Sequence, residues 1–296
     1  MERRQFLALA PGAAMAAGEG PFLKGICGVI FPPQMPLTEQ LRQARNAGFA
    51  GIEVRLGRGL DLTATRDEAQ RVAEASRKSG VAIVSLWVSG ALGETPLNHH
   101  DPAVRAKGVE AIHKAIDLAK WVGCGALLIV PGRLGNGARF VYGYQETWDR
   151  VTEQLRNCVA HAAESRVYLT PENVWNKFLV SPLEMRTFVD QFQSPWVQTH
   201  FDIGNIMQFG YPQDWILTLG SRIRRVHVKD YKLSQRAEQG RFVDLLEGDV
   251  DWKDVMACFK KIGYRGFMCP EIGARPDDPD HLKKVSLALD KILALA

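Results

Sequence analysis

Three acidic residues and one histidine follow four successive apolar segments in the second half of the chain. They are Glu172, Asp202, His227 and Glu271, separated by 30, 25 and 44 residues. Three carboxylates and one imidazole suit Mn²⁺, Co²⁺ or Mg²⁺ with positions left open for water or substrate, and suit a closed tetrahedral zinc site less well. Each residue alone has an ordinary structural explanation, but together the four favour a divalent metal site.

Short apolar segments alternate with longer amphipathic stretches, and this alternation predicts the elements that position the four residues. The eight predicted strands are Lys24–Ile30, Gly51–Val54, Val81–Val88, Ala126–Val130, Val167–Pro171, Val197–Asp202, Arg224–Val228 and Phe267–Glu271. The eight predicted helices are Leu37–Ala47, Thr65–Lys78, Pro102–Val122, Thr147–Ser165, Pro182–Phe192, Pro212–Leu219, Trp252–Ile262 and Pro279–Leu295. Several of them begin at proline, which is well tolerated at the first helical position.

Eight strands alternating with eight helices, without a linker, predict a single-domain α/β fold, the (β/α)8 TIM barrel, over residues 21–296. A doubly wound sheet is the alternative, because alternation alone does not fix the topology. In a barrel the carboxyl ends of the strands meet around one axis, where the active sites of this fold lie. We therefore expect Glu172, Asp202, His227 and Glu271 to lie close together.

The composition excludes several classes of protein. The 296 residues are 46% hydrophobic and 24% charged, which is typical of a globular chain rather than a disordered or fibrous one. The 37 basic and 33 acidic residues are spread along the chain, so we expect no nucleic-acid partner. No apolar run approaches the ~18 residues of a membrane span, so we expect no membrane partner.

The N-terminal residues resemble an export signal. Arg3-Arg4-Gln5-Phe6-Leu7 is similar to a twin-arginine motif, small apolar residues run from Ala8 to Ala17, and Ala14-Met15-Ala16 suits a signal peptidase. We therefore predict a signal peptide over residues 1–18 and a periplasmic protein. If the leader is not functional, the protein is cytoplasmic.

Four stretches resemble the xylose-isomerase-like barrels, a family that includes ketose 3-epimerases, sugar-phosphate 3-epimerases and hydroxypyruvate isomerases. They are Phe201-Asp202-Ile203-Gly204-Asn205, His227-Val228-Lys229-Asp230, Glu247-Gly248-Asp249-Val250-Asp251-Trp252, and Gly263-Tyr264-Arg265-Gly266 leading to Glu271. The resemblance covers the chain after the leader. It implies a divalent metal, most commonly Mn²⁺, held by Glu172, Asp202, His227 and Glu271, a small-molecule sugar substrate, and a homo-oligomer.

The resemblance also implies an isomerase-class enzyme that inverts C3 of a ketose through a metal-stabilised cis-enediolate, with Glu172 and Glu271 as the acid/base pair. Aldose–ketose isomerisation remains an alternative within the class, and the sequence does not identify which glutamate is the base. The predicted substrate-facing residues are Glu53, Asn176, Lys177, Asn205 and Lys229. Glu53 could equally be an ion-pair partner inside the barrel.

Two observations on the substrate conflict. The Asp-x-Gly-Asn form that ends at Asn205 is similar to the sugar-phosphate branch, whereas phosphorylated sugars are scarce outside the cytoplasm, where the leader points. We give the leader more weight and predict a free ketose or an oxidised sugar.

Three rival functions use the same barrel. A metal-dependent lyase or deglycosidase acting on 3-oxo-glycosides would use the same metal and base, and a non-catalytic sugar-binding barrel would keep the shape of the site without turnover. A DNA-repair endonuclease needs several more histidines at the strand ends, and only His99 and His100 could add to His227.

Overall fold

Eight parallel strands form the centre of the protein in a computed structural model that describes residues 21–234 and 240–296. The strands are β1 (Phe22–Cys27), β2 (Gly51–Arg55), β3 (Ala82–Trp87), β4 (Ala126–Ile129), β5 (Tyr168–Pro171), β6 (Thr199–Asp202), β7 (Ile223–Val228) and β8 (Gly266–Pro270). Their order in the sheet is β5-β4-β3-β2-β1-β8-β7-β6. The predicted leader, residues 1–18, lies outside the described residues.

The sheet closes between β5 and β6, the two strands at the ends of this order. Isolated parallel bridges join Leu169 to Val197 and Glu172 to His200 across this seam. The bridge between Leu169 and Val197 includes a hydrogen bond in which the Gln198 N–H donates to the Leu169 carbonyl at 3.0 Å. The closed parallel barrel confirms the predicted fold class and excludes the doubly wound sheet.

Nine helices in the described residues surround the strands. They are α1 (Leu37–Asn46), α2 (Arg66–Ser79), α3 (Ser89–Glu94), α4 (Pro102–Val122), α5 (Tyr144–Ser165), α6 (Pro182–Asp190), α7 (Pro212–Leu219), α8 (Trp252–Lys261) and α9 (His281–Leu293). Within the same residues no helix is long and apolar enough to cross a membrane. The helix α2 begins at a capping box, in which Thr65 and Glu68 satisfy each other's backbone N–H groups.

Three features of the loops differ from the prediction. The helix α3 follows β3 in a segment for which no helix is predicted, and α5 begins at Tyr144 rather than Thr147. Two antiparallel hairpins also stand outside the barrel. One pairs Gly135–Asn136 with Arg139–Phe140, and the other pairs Asp230–Lys232 with Arg241–Val243. Both follow carboxyl ends of barrel strands, so they lie on the face where the four predicted ligands emerge.

Candidate active site

The four predicted ligands meet at the carboxyl end of the barrel. Glu172 directly follows β5, Asp202 ends β6, His227 is the penultimate residue of β7, and Glu271 directly follows β8. One potential ligand atom from each residue lies within 4.8 Å of the others. The fold thus places four residues that span 100 positions of sequence around one point.

One imidazole nitrogen lies at the centre of this cluster. His227 Nδ1 is 2.9 Å from Glu172 Oε1, 3.0 Å from Glu271 Oε2 and 3.7 Å from Asp202 Oδ2. The side chains of His227 and Asp202 are fully buried, and that of Glu271 is 16% exposed. Glu271 is therefore the most solvent-accessible of the four and the one that an entering molecule meets first.

The carboxylate of Asp202 is oriented by two asparagines on neighbouring loops. Asn173 binds the Asp202 backbone twice, since its Nδ2 donates to the carbonyl at 2.8 Å and its Oδ1 accepts from the N–H at 2.9 Å. The Asn205 N–H donates to Asp202 Oδ1 at 2.8 Å, and Asn205 Nδ2 donates to the Asn173 carbonyl at 3.0 Å. The bond from the Asn205 N–H occupies Oδ1, the other three hold the two loops against Asp202, and Oδ2 of Asp202 faces the cluster.

A lysine ammonium group borders the cluster. Lys229 Nζ lies 2.6 Å from Glu271 Oε2 and 2.9 Å from Asp202 Oδ2. Gly204 allows this approach, because a Cβ at that position would lie 2.5 Å from Lys229 Cβ. On its other side the ammonium lies 5.4 Å from the centre of the Phe242 ring. Lys229 thus connects the candidate ligands to the ring of Phe242, on the hairpin that follows β7.

The two glutamates experience opposite electrostatic environments. Burial raises the pKa of Glu172 to about 7. Burial acts on Glu271 in the same sense, but the nearby charges of His227 and Lys229 outweigh it and hold the pKa of Glu271 well below its usual range. Burial would lower the pKa of His227, yet Glu53 and Glu271 raise it well above its usual value. In the metal-free protein a proton on His227 thus compensates part of the negative charge of the cluster.

The donor atoms fit a divalent cation. His227 Nε2 lies 2.8 Å from Glu53 Oε1 on the opposite side of the ring, where it can donate its proton. A neutral ring in that form turns the lone pair of Nδ1 toward Glu172, Asp202 and Glu271. One nitrogen lone pair and three carboxylates facing the same point could hold a cation between them, and hard oxygens with one imidazole suit Mn²⁺, Mg²⁺ or Co²⁺.

Residues 41–292 match the sequence model of the family described as Xylose isomerase-like TIM barrel. The chain belongs to this family. It is 30% identical over 235 residues to L-ribulose-5-phosphate 3-epimerase UlaE of Salmonella paratyphi C, an alignment that covers 77% of this chain and 79% of that protein. The UlaE protein of Escherichia coli O1:K1 / APEC is 29% identical over 235 residues, with the same two coverages. The family inferred from the motifs is therefore confirmed.

Solved structures agree with this fold. D-psicose 3-epimerase from Clostridium cellulolyticum H10 superposes with a TM-score of 0.76 at 16% identity, over 92% of this chain and 99% of that chain. This likeness shows that the same barrel extends along nearly the whole of both chains. The named sequence relatives are isomerase-class enzymes, in agreement with the enzyme class predicted from the sequence.

The five residues predicted to face substrate separate into three places. Asn176, Lys177 and Asn205 line a cavity of about 710 Å³ on the loops after β5 and β6. Lys229 lines a second cavity of about 420 Å³ together with Glu271. Glu53 is 0% exposed, so among the described residues it belongs to the barrel interior and to neither cavity. Its 2.8 Å contact with His227 Nε2 agrees with the ion-pair alternative, and the substrate contact stays a prediction.

The amide of Asn176 is already engaged by the loop after β4 and by its own loop. Its Nδ2 donates to the Gly132 carbonyl at 2.5 Å, and its Oδ1 accepts from the Phe178 N–H at 3.0 Å. Lys177 is exposed on the same loop. Asn176 therefore shapes the cavity through the backbone it holds.

Three residues near the site were missed by sequence reasoning: Asn173, Trp175 and Phe242. The Trp175 indole stacks on the Phe242 ring with centroids 5.2 Å apart, and its Nε1 donates to the Asn205 carbonyl at 2.8 Å. This stack stands between the two cavities, since Trp175 lines one and Phe242 the other. Asn173 and Trp175 lie within three residues of Glu172, so their place beside a predicted ligand could have identified them. No sequence motif marks the hairpin that carries Phe242 as part of the site.

Proposed function

We propose that the protein is a divalent-metal-dependent epimerase that inverts C3 of a ketose. The observation that carries the proposal is the meeting of Glu172 and Glu271 in one buried cluster, where a carboxylate oxygen of each lies within 3.0 Å of His227 Nδ1. The relatives named as 3-epimerases support the reaction class. A bound divalent cation would withdraw electron density from a substrate oxygen. We expect this cation to be Mn²⁺, with Co²⁺ or Mg²⁺ as alternatives.

The two glutamates would divide the proton transfers between the two faces of the sugar. One carboxylate removes the C3 proton and leaves a cis-enediolate, and the other returns a proton to the opposite face, so the configuration of C3 is inverted. Asp202 and His227 would hold the cation with them. The Lys229 ammonium keeps Glu271 and Asp202 in place through ion pairs at 2.6 Å and 2.9 Å.

We further propose that the ketose carries no phosphate. The cavity beside Glu271 contains two cations among its described lining residues, Lys229 and Arg275. Lys229 is held by two carboxylates, and Arg275 binds Asp244 through two hydrogen bonds, one of 2.7 Å. A phosphate dianion entering here would have to displace these carboxylates. A periplasmic location, as the N-terminal motif predicts, would agree with such a substrate.

Solvent exchange at C3 tests the reaction. The purified protein with added Mn²⁺ is incubated in D₂O with a panel of ketoses and their phosphates, and the products are followed by NMR. We expect C3 epimers that carry deuterium at C3. In the Glu271→Gln variant we expect exchange to fall at least ~10²-fold with an unchanged circular dichroism spectrum. Unchanged exchange would refute the acid/base assignment, and Glu110→Gln, an exposed substitution on α4, is the matched control.

A lyase acting on 3-oxo-glycosides is the second candidate. The cavity of about 710 Å³ bounded by Trp175 and Phe209 is large enough for an aglycone beside the sugar. Adding 3-oxo-glycosides to the panel separates the candidates, since release of an aglycone favours the lyase. Binding without exchange or release would favour a sugar-binding barrel.

The location and assembly of the protein need separate measurements. We propose that the protein is exported and that it forms a homo-oligomer. N-terminal sequencing of protein from the periplasmic fraction tests cleavage near residue 18. Analytical ultracentrifugation of the purified protein tests the oligomeric state.

A further inference from the structure

Glu53 occupies the floor of the candidate metal site. It lies on β2 inside the barrel, 174 residues before His227 in sequence, and its side chain is fully buried. Its Oε1 is 2.8 Å from His227 Nε2 and 3.4 Å from the Cys27 thiol. Its Oε2 accepts a hydrogen bond from Ser85 Oγ. His200 Nε2, at 3.8 Å from Oε2, lies beyond hydrogen-bond distance.

These contacts determine which nitrogen of His227 can carry the proton. Cys27 and Ser85 supply donors to Glu53, and an ionised carboxylate can only accept. The remaining close partner, His227 Nε2, satisfies the carboxylate when it donates as well. With the proton at Nε2, the lone pair of the neutral ring is at Nδ1, the atom that faces Glu172 and Glu271.

The position of Glu53 also fixes the plane of the ring. His227 lies between Glu53 on one side and the three carboxylates on the other. The His200 ring packs edge-on against it, with centroids 4.1 Å apart and an angle of 60° between the planes. A 180° flip of the imidazole would remove the Nε2 hydrogen bond to Glu53. Rotation of His227 would thus remove one of the three hydrogen-bond partners of a buried carboxylate, which is costly.

We propose that Glu53 is the positioning residue of the metal site, holding the His227 proton at Nε2 so that Nδ1 is the metal ligand. The inference rests on the metal dependence in the proposed function. A carboxylate behind a ligating histidine fixes the tautomer of the ring and increases its basicity, and losing such a partner typically weakens metal binding 10- to 100-fold. Glu53 thereby acts on the metal through His227.

Calorimetric titration of the metal-free protein with Mn²⁺ tests the role of Glu53. In Glu53→Gln the side chain keeps its size, but its NH₂ group can donate to Nε2 and favour the wrong tautomer. We expect the Mn²⁺ dissociation constant to rise ~10- to 100-fold, while the matched surface variant Glu110→Gln leaves it unchanged. Equal dissociation constants in Glu53→Gln and wild type would overturn the inference and leave the proposed function standing. A wild-type protein that binds no divalent cation would overturn both.

A measurement on the wild-type protein removes any dependence on how the variant folds. Protein labelled with ¹⁵N-histidine and loaded with diamagnetic Mg²⁺ reports the state of each ring nitrogen by NMR. We expect a protonated Nε2 and a metal-shifted Nδ1 for His227. A protonated Nδ1, or coordination through Nε2, would overturn the inference even if the protein proves to be an epimerase.

Discussion

Asp230→Asn should destabilise the protein strongly, because one buried carboxylate organises the long loop after β7. Asp230 is 1% exposed. Its Oδ1 accepts from the N–H groups of Tyr231 at 2.9 Å and Val250 at 3.3 Å. Its Oδ2 accepts from the Leu246 N–H at 2.8 Å and the Trp252 Nε1 at 3.0 Å. The sequence stretches His227–Asp230 and Glu247–Trp252 thus meet at this side chain.

The expected loss of stability follows from the number of donors that each carboxylate oxygen accepts from. An asparagine has one oxygen and one NH₂ group, so whichever way the amide turns, two of the four donors lose their acceptor and face another donor. A buried donor left unsatisfied costs about 1–3 kcal/mol, so the substitution should lower the free energy of unfolding by about 2–6 kcal/mol. The side chains have nearly the same volume, so packing contributes little.

Urea unfolding followed by tryptophan fluorescence measures this loss. We expect the midpoint to fall while the dependence of the free energy on urea concentration stays the same. Asp249→Asn is the control from the same loop, since Asp249 forms a partly exposed ion pair with Lys232; its loss should be about 1 kcal/mol or less. Equal midpoints for Asp230→Asn and wild type would refute the reasoning.

Three further substitutions have defined outcomes. Asp202→Asn removes an anionic ligand, so we expect less bound metal by elemental analysis after dialysis; full occupancy would count against Asp202 as a ligand. Gly248→Ala places a Cβ 1.9 Å from Asp230 Oδ1, so its melting temperature should fall, and an unchanged value would show that the loop can shift. His113 Nδ1 lies 2.9 Å from His161 Nδ1, and burial, followed by the charge of His161, lowers the pKa of His113. Because the folded state resists protonation of His113, wild-type stability should decrease as the pH falls below about 6.5. Parallel denaturant midpoints across that range should show a weaker decrease in His113→Gln, and identical profiles would contradict the assignment.

The barrel and the four candidate ligands were predictable because both depend on short-range patterns. Each strand is a short apolar run, and parallel strands in a barrel end on the same face. Polar residues at the ends of β5 to β8 must therefore converge, and Glu172 and Glu271 do so. The start of a helix was predictable where the capping residues lie close together in sequence, as at Thr65 and Glu68.

The roles of Glu53 and Asp230 could not be predicted, because they depend on contacts between distant segments. The sequence around Glu53 does not indicate that its carboxylate lies 2.8 Å from Nε2 of His227, which is 174 residues away. The hairpin after β7 depends on donors that reach Asp230 from up to 22 residues further along the chain. The early start of α5 has a local cause that the periodicity misses, since Glu146 accepts from the Gly143 N–H one turn before the apolar stripe.

The seam between β5 and β6 has a consequence for the size of the cation that the proposed metal site would accept. His227 and Glu271 stand on strands joined by a continuous ladder, in which Cys269 pairs with His227. Across the seam, the amide of Asn173 stands in for part of the ladder beside Asp202. A side-chain amide can rotate where a continuous ladder cannot, so the seam is the place where the proposed site would adjust to ions of different radius.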